Sequence, residues 1–275
     1  IPRSRVTALD QYVATPDPAY HWDVVTNITL AGGVAFSAID LTSQSWLTTN
    51  EVNRTVWRHW LNIYRPPEVA HSTGFLMISG GSINDLKPPK PGTELAMIAM
   101  ATKSVIAELK QVPNEPLVFR VDGKDRTEDE ILALGWSTYL KTGDARWITR
   151  LPMAKSAVRA MDTITAFCAT PAGGGRKVDT FVVAGGSKRG WTTWATAEVD
   201  KRVVAICPIV IDVLNMEPSM LHHYQAYGFW APAVGNYTEQ GIMNWMGTPE
   251  MKALLRVEEP YSYRDRLTMP KLLLN

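Results

Sequence analysis

The sequence predicts an α/β fold in which a mostly parallel sheet carries helices on both faces. Two observations lead to this prediction. The first 65 residues contain apolar strand patterns separated by turn residues such as Gly32-Gly33, as is typical of antiparallel strands. Beyond residue 70, short apolar runs alternate with longer helical patterns, which is typical of strand-helix-strand units.

The predicted elements follow one another along the chain with short connections. Runs of apolar and β-branched residues bounded by turn residues predict eight strands, at 23–30, 33–41, 55–64, 74–79, 104–109, 180–184, 203–211 and 271–274. The run at 55–64 alternates between two faces and is expected to be half-buried. Helical periodicity predicts four helices, at 93–101, 127–141, 153–168 and 188–199.

Composition fits one large domain or two small ones, of which we predict a single domain spanning 1–275, and it excludes several classes of protein. Of the 275 residues, 45% are hydrophobic and 20% are charged, which is enough apolar material for a sizeable core. Lys and Arg number 28 against 27 Asp and Glu, so no charge excess favours nucleic acid or an anionic membrane surface. The longest apolar stretches fall well short of the roughly 18 residues that predict a membrane span.

Several features concern export and redox state. The two cysteines cannot form a disulfide framework, although one disulfide remains open. The chain opens on Ile1 rather than Met, so either removal of a signal peptide or a trimmed N-terminus is expected. Asn-x-Thr sequons at Asn27, Asn53 and Asn236 fit an exported protein, or chance. We predict a secreted or periplasmic location.

The exit of the strand at 180–184 carries the strongest catalytic signal. The strand runs into two glycines, Ser187, Lys188 and the predicted helix 188–199. A serine held between a buried strand and a helix start is typical of a nucleophile elbow, which exposes the serine Oγ. We therefore predict Ser187 as the nucleophile and the Lys188 amide as an oxyanion donor at the helix N-terminus.

This elbow departs from the usual G-x-S-x-G pattern. Arg189 stands where that pattern has glycine, and the small residue comes one place later, at Gly190. The alternative is that Ser187 only caps the helix. Arg189 is expected to brace the elbow through an ion pair or carbonyl hydrogen bonds, with Asp212 or another carboxylate as partner.

A second oxyanion donor and an acid can be sought at other strand exits. The strand at 74–79 ends in Gly80-Gly81-Ser82, where the amide of Gly81 or Ser82 could approach a substrate; a flexible turn is the alternative. Asp212, directly after the strand at 203–211, is a possible acid or else a turn residue.

A base is harder to find. His222 and His223 could reach the site from the segment at 213–260. The remaining histidines, His21, His59 and His71, are expected to be structural or exposed. None of the five histidines convinces by position: His21, His59, His71, His222 and His223. No His, Cys or carboxylate cluster has the spacing of metal ligands, so neither a metal nor an organic cofactor is predicted.

The irregular segment at 213–260 is predicted to be a lid inserted over the strand ends. It is rich in Tyr, Trp, Met and Pro. Tyr224, Trp230 and Trp245 are possible pocket residues, because such rings combine a large apolar area with a polar tip. The alternative is that these rings are ordinary core.

Long motifs resemble one known family. The Gly-Gly-Ser-Lys-Arg-Gly-Trp-Thr-Thr-Trp stretch around Ser187, the Cys-Pro-Ile-Val-Ile-Asp-Val-Leu-Asn-Met stretch from Cys207 and the final Pro-Lys-Leu-Leu-Leu-Asn are similar to the PhoPQ-activated pathogenicity-related family. The likeness continues upstream through Trp57-Arg58-His59-Trp60, Gly80-Gly81-Ser82 and Leu134-Gly135-Trp136. It implies export, an α/β-hydrolase fold and Ser187 as nucleophile.

The resemblance also implies where the missing groups lie. In that family the strand matching 270–275 leads into a loop with the acid of the triad, and the histidine comes later. The chain is therefore expected to end before the last strand-helix units of the fold, and a C-terminal segment or second chain is expected to complete it.

Two functions remain open. One is a secreted serine hydrolase, an esterase or peptidase acting on a small-molecule or peptide substrate. The alternative is a secreted binding or signalling protein on a catalytically weak hydrolase scaffold. Fold by itself cannot choose between them.

Overall fold

A seven-stranded mixed sheet forms the centre of the computed structural model, which describes residues 6–275. Its strand order is β1-β2-β3-β5-β4-β8-β9. The strands of this sheet are β1 (His21–Thr29), β2 (Ala35–Ser45), β3 (Val56–Arg65), β4 (Thr73–Ile78), β5 (Ile106–Leu109), β8 (Thr180–Gly186) and β9 (Val203–Ile209). A separate small hairpin consists of β6 (Leu117–Val118) and β7 (Asp125–Arg126).

The sheet combines antiparallel strands near the N-terminus with parallel strands after residue 70, as predicted from the sequence. The pairs β1-β2, β2-β3 and β3-β5 are antiparallel, whereas β5-β4, β4-β8 and β8-β9 are parallel. Parallel strands end at the same edge, so the loops after β4, β8 and β9 meet there. This edge is where a ligand is expected in such a sheet.

Helices cover both faces of the sheet, as predicted. They are α1 (Ala8–Ala14), α2 (Thr93–Thr102), α3 (Glu128–Thr142), α4 (Arg150–Ala169), α5 (Lys188–Val199), α6 (Met216–Tyr227), α7 (Gly235–Glu239) and α8 (Pro249–Glu258). The main core includes Ile39, Leu61 and side chains of α4 and α5. Because side chains alternate along a strand, their neighbours Phe36 and Tyr64 face a smaller core with α2.

Two local expectations are corrected, and one helix was not predicted. Most of β3 is buried on both faces rather than half-buried, because the chain after β4 covers its second face and Trp60 Nε1 donates to Asp85 O at 2.9 Å. Helix α4 begins at Arg150, three residues earlier than predicted. Pro152 is tolerated there because the N–H groups of the first turn have no carbonyl acceptor within the helix, so the missing N–H of proline costs nothing. Helix α1, held by a capping box on Thr7, was not predicted.

The C-terminal run lies along the edge strand β9. Lys271 pairs in parallel with Ile206, and Leu274 pairs in parallel with Ile209. The run therefore reaches the same edge of the sheet as the loops after β8 and β9. Within the described part of the chain, no helix has the length and apolarity that a membrane crossing requires.

The two cysteines do not pair with each other. Cys168 is buried in the core and Cys207 is half-buried on β9, and both are free thiols. The disulfide left open by the sequence is therefore absent.

Candidate active site

Ser187 occupies a strained turn between β8 and α5. Its backbone angles are φ 55° and ψ −126°, a conformation that costs a non-glycine residue about 1–3 kcal/mol. The turn is held by the Ser187 N–H, which donates to Ile209 O at 2.8 Å, and by Ser187 O, which accepts from Trp191 N at 3.1 Å. The hydroxyl makes no capping hydrogen bond to the helix, so the capping alternative is wrong.

Close backbone packing explains the glycines around the serine. A Cβ on Gly185 would lie 2.6 Å from the carbonyl oxygen of Arg189, and a Cβ on Gly190 would lie 2.7 Å from Ile211 Cγ2. The second close approach therefore falls at Gly190, one residue later than in the usual motif. This position leaves Arg189 free to carry a long side chain.

A cavity of about 290 Å³ opens beside Ser187, between the elbow and the segment 213–260. Lys188 and Asp212 also lie in its wall. Most of the remaining wall is apolar: Trp136, Trp191, Val210, Ile211, Val213, Met216, Met220, Ala233, Val234, Tyr237, Ile242, Met243, Met246, Met251 and Leu255. The structure thus places Ser187, Lys188 and Asp212 around one space.

The oxyanion candidates lie in two different places. Lys188 is the first residue of α5, where amide groups have no intrahelical partner. Gly81 adopts φ 128°, which favours glycine, and Ser82 pairs in parallel with Glu115. Neither Gly81 nor Ser82 is part of the cavity wall.

Arg189 ties three segments together. Its guanidinium donates to both carboxylate oxygens of Glu128, at 2.9 and 2.6 Å, and its Nε donates to Val112 O at 2.5 Å. A Cβ on Gly80 would lie 2.5 Å from Arg189 Nη2, so the loop after β4 packs directly on this side chain. The partner is therefore Glu128 and not Asp212, because α3 begins beside the elbow whereas Asp212 lies in the wall of the cavity.

Lys188 joins the same ion cluster. Its side chain is 8% exposed, and Nζ pairs with the Glu128 carboxylate and, at 3.3 Å, with Asp129. Carboxylates of α3 thus compensate the two cations at the positive end of α5. These carboxylates lie in the first turn of α3, where the dipole of that helix also favours a negative charge.

A buried pair under the cavity holds its aromatic wall. Arg150 and Glu258 are both fully buried, and Arg150 Nε lies 3.1 Å from Glu258 Oε2. Glu258 accepts from Trp136 Nε1 at 2.7 Å and from Trp191 Nε1 at 2.6 Å. Arg150 also donates to Lys188 O at 2.7 Å, which connects the pair to the first turn of α5.

The two carboxyl groups beside the elbow differ in acidity. The Glu128 N–H donates to Glu115 Oε2 at 2.5 Å. Burial, together with the adjacent Glu128, raises the pKa of Glu115 to about 7. Burial acts on Glu128 in the same direction, but the hydrogen bonds from Arg189 and Lys188 outweigh it and lower the pKa of Glu128 to about 2.

We expect Glu115→Gln to change the pH dependence of stability. The folded pKa of Glu115 lies above its unfolded value, so its contribution is fully present below about pH 4.5 and is lost as pH rises through about 7. The glutamine variant lacks this loss. Denaturant midpoints measured from about pH 5 to about pH 8 should therefore fall in the wild type relative to the variant. Parallel curves would contradict the raised pKa.

Among the described residues 6–275, no histidine lies in the cavity wall. His59 is buried, its Nε2 lies 2.9 Å from Ser43 Oγ, and burial lowers its pKa to about 4, so its role is structural. His223 accepts from Ala231 N and stacks on Trp230. His222 is exposed on α6. Among residues 6–275, no group of three or more His, Cys, Asp or Glu side chains is arranged to hold a metal ion.

The predicted pocket aromatics lie outside the cavity wall. Tyr224 and Trp230 pack on each other with ring centroids 4.9 Å apart, and Tyr224 is 46% exposed. Trp245 packs against the main core. Methionines line the cavity instead, and 5 of the chain's 11 lie in its wall. The sequence did not predict this, although the Met-rich composition of 213–260 was the signal for it.

The mixed sheet with a strained serine between β8 and α5 defines the class of this protein, which has an α/β-hydrolase fold. A solved structure with the same fold is the acetyl xylan esterase from Paenibacillus sp. R4, at a TM-score of 0.51 and 14% identity over 97% of this chain and 83% of that one. At this identity the likeness shows the fold alone. The chain belongs to the PhoPQ-activated pathogenicity-related protein family, whose model matches residues 9–275.

One curated relative is also similar. Autocrine proliferation repressor protein A of Dictyostelium discoideum is 40% identical over 269 residues, which cover 96% of this chain and 53% of the relative. The chain therefore spans about half the length of this relative.

Proposed function

We propose that the protein is an exported serine hydrolase, most simply an esterase, with Ser187 as its nucleophile. The observation that carries the proposal is the strained Ser187 turn beside a cavity at the carboxyl edge of the sheet. Strain of this kind persists where the surroundings hold it, and here the two close glycines and Arg189 do so. The three sequons support export.

In the proposed reaction, Ser187 Oγ attacks the carbonyl carbon of an ester while its proton passes to a general base. The Lys188 amide holds the developing oxyanion, and the loop with Gly81 and Ser82, which packs on Arg189 at Gly80 outside the cavity wall, is proposed to supply a second amide. The ester C–O bond then breaks, the alcohol leaves with the proton, and water hydrolyses the acyl-serine to a free acid. The turn keeps Oγ in place through both halves of the reaction.

We propose that the histidine base comes from outside the described residues, and that the acid of the triad either comes from there as well or is Asp212. No histidine of residues 6–275 lies in the cavity wall, and the run pairing with β9 arrives at the same edge as Ser187. Asp212 is a carboxylate of the wall that could serve as the acid. A C-terminal segment or a second chain completing the fold agrees with the greater length of the relative.

A fluorophosphonate probe tests the proposal, because it reacts with activated serines. Applied to culture medium and to cell lysate of a strain expressing the full-length protein, it should label the protein in the medium. Ser187→Ala should abolish labelling, whereas Ser219→Ala, on an exposed position of α6, should leave it unchanged.

Failure to label Ser187 while a known serine hydrolase labels in parallel would reject the enzyme. It would favour the alternative, an exported binding or signalling protein, which agrees with the name of the relative from Dictyostelium discoideum.

A further inference from the structure

The wall of the cavity beside Ser187 is mostly apolar, and its polar groups include the Ser187 hydroxyl and the Asp212 carboxylate. Trp136 and Trp191 donate their indole N–H groups to Glu258, and Tyr237 donates its hydroxyl to Asp129 at 3.3 Å. The polar tips of these wall aromatics are therefore already engaged. A sugar ring in this space would lose more hydrogen bonds to water than the mostly apolar wall can replace.

The charged groups of the wall also disfavour an anionic ligand. Lys188 is the cavity's cation, and it is neutralised by Glu128 and Asp129. Glu217 accepts the Gly247 N–H at 2.5 Å, and Asp212 adds a negative charge. The balance of the wall is acidic, so a carboxylate or phosphate would be repelled.

The rest of the wall is flexible apolar surface. Five of its residues are methionines, whose unbranched side chains adapt to irregular apolar shapes: Met216, Met220, Met243, Met246 and Met251. The cavity volume of about 290 Å³ lies at the lower end of the range for small-molecule pockets, about 300–1,000 Å³. A cavity of this size has room for one small apolar group, such as a medium-length acyl chain.

We infer that the group transferred to Ser187 is a neutral, apolar acyl chain of medium length. The transfer of an acyl group to Ser187 rests on the proposed function. The apolar character of that group rests on the cavity wall. The acyl chain stays attached to Oγ after the alcohol leaves, so we assign the apolar cavity that contacts Ser187 to this chain. The leaving alcohol then faces solvent.

Binding of neutral ketones tests the cavity without requiring catalysis. In calorimetry with wild type and Ser187→Ala, affinity should rise from 2-butanone to 2-decanone by up to about fourfold per added methylene. Met243→Trp and Met220→Phe, which fill the cavity, should weaken 2-decanone selectively. Leu221→Ala, on α6 but 47% exposed and outside the wall, should bind as wild type does. Circular dichroism verifies that each variant is folded.

A series of p-nitrophenyl esters from acetate to laurate provides the second measurement on the full-length protein. We expect kcat/KM to peak between hexanoate and decanoate, and Met243→Trp to move the peak to shorter chains. A folded wild type with no chain-length preference in either series would overturn the inference even if the probe labels Ser187. Ketone binding without any labelling would instead reject the proposed function and retain the apolar site.

Discussion

Gly185→Ala is expected to abolish probe labelling of Ser187, whereas Gly186→Ala should leave it nearly unchanged. A Cβ on Gly185 would lie 2.6 Å from the carbonyl oxygen and 2.7 Å from the carbonyl carbon of Arg189, so the backbone of the elbow has to move. A Cβ on Gly186 would meet no atom within 4 Å. Overpacking of this kind costs about 1–3 kcal/mol or more.

The two glycine variants form a matched pair, because they differ only in which neighbour of the same turn gains a methyl group. Labelling rates and denaturant midpoints of both should be measured on the full-length protein. Equal labelling by the two variants would mean that the close approach at Gly185 is not what holds Ser187 in its turn.

Arg189→Ala should slow labelling by about 100-fold and destabilise the fold by about 2–3 kcal/mol. The side chain is 12% exposed, pairs with both oxygens of Glu128 and supports the loop at Gly80. Its loss removes the contact between the elbow and the proposed oxyanion loop and leaves a cavity between them. Arg189→Lys keeps the charge but loses the two parallel hydrogen bonds, so it should recover only part of the rate.

Arg58→Ala provides the control for removing an arginine. Arg58 pairs with Asp40 on the surface, where its side chain is 44% exposed, so the change should cost at most about 1 kcal/mol and leave labelling intact. If Arg189→Ala behaved like Arg58→Ala in both measurements, the bracing role would be wrong.

The order of elements was predictable from the sequence because local pattern decides it. The alternation of short apolar runs with helical patterns beyond residue 70 predicted the parallel strands, and helix 188–199 was predicted with its observed bounds. Glycines and a serine between a strand and a helix likewise predicted the elbow, because strain and close packing require these residue types at fixed offsets. Burial of both faces of β3 was missed, since it depends on which distant segment covers the strand.

The sequence by itself determined the α/β fold, the position of Ser187 and the absence of a convincing histidine, because each depends on residue type and local spacing. Only the tertiary structure decided which side chains surround the serine. Arg189 meets Glu128 and not Asp212, and methionines rather than Tyr224 and Trp230 line the cavity, because these contacts join segments far apart in the chain. Packing between such segments is set by the whole core, and no local pattern carries it.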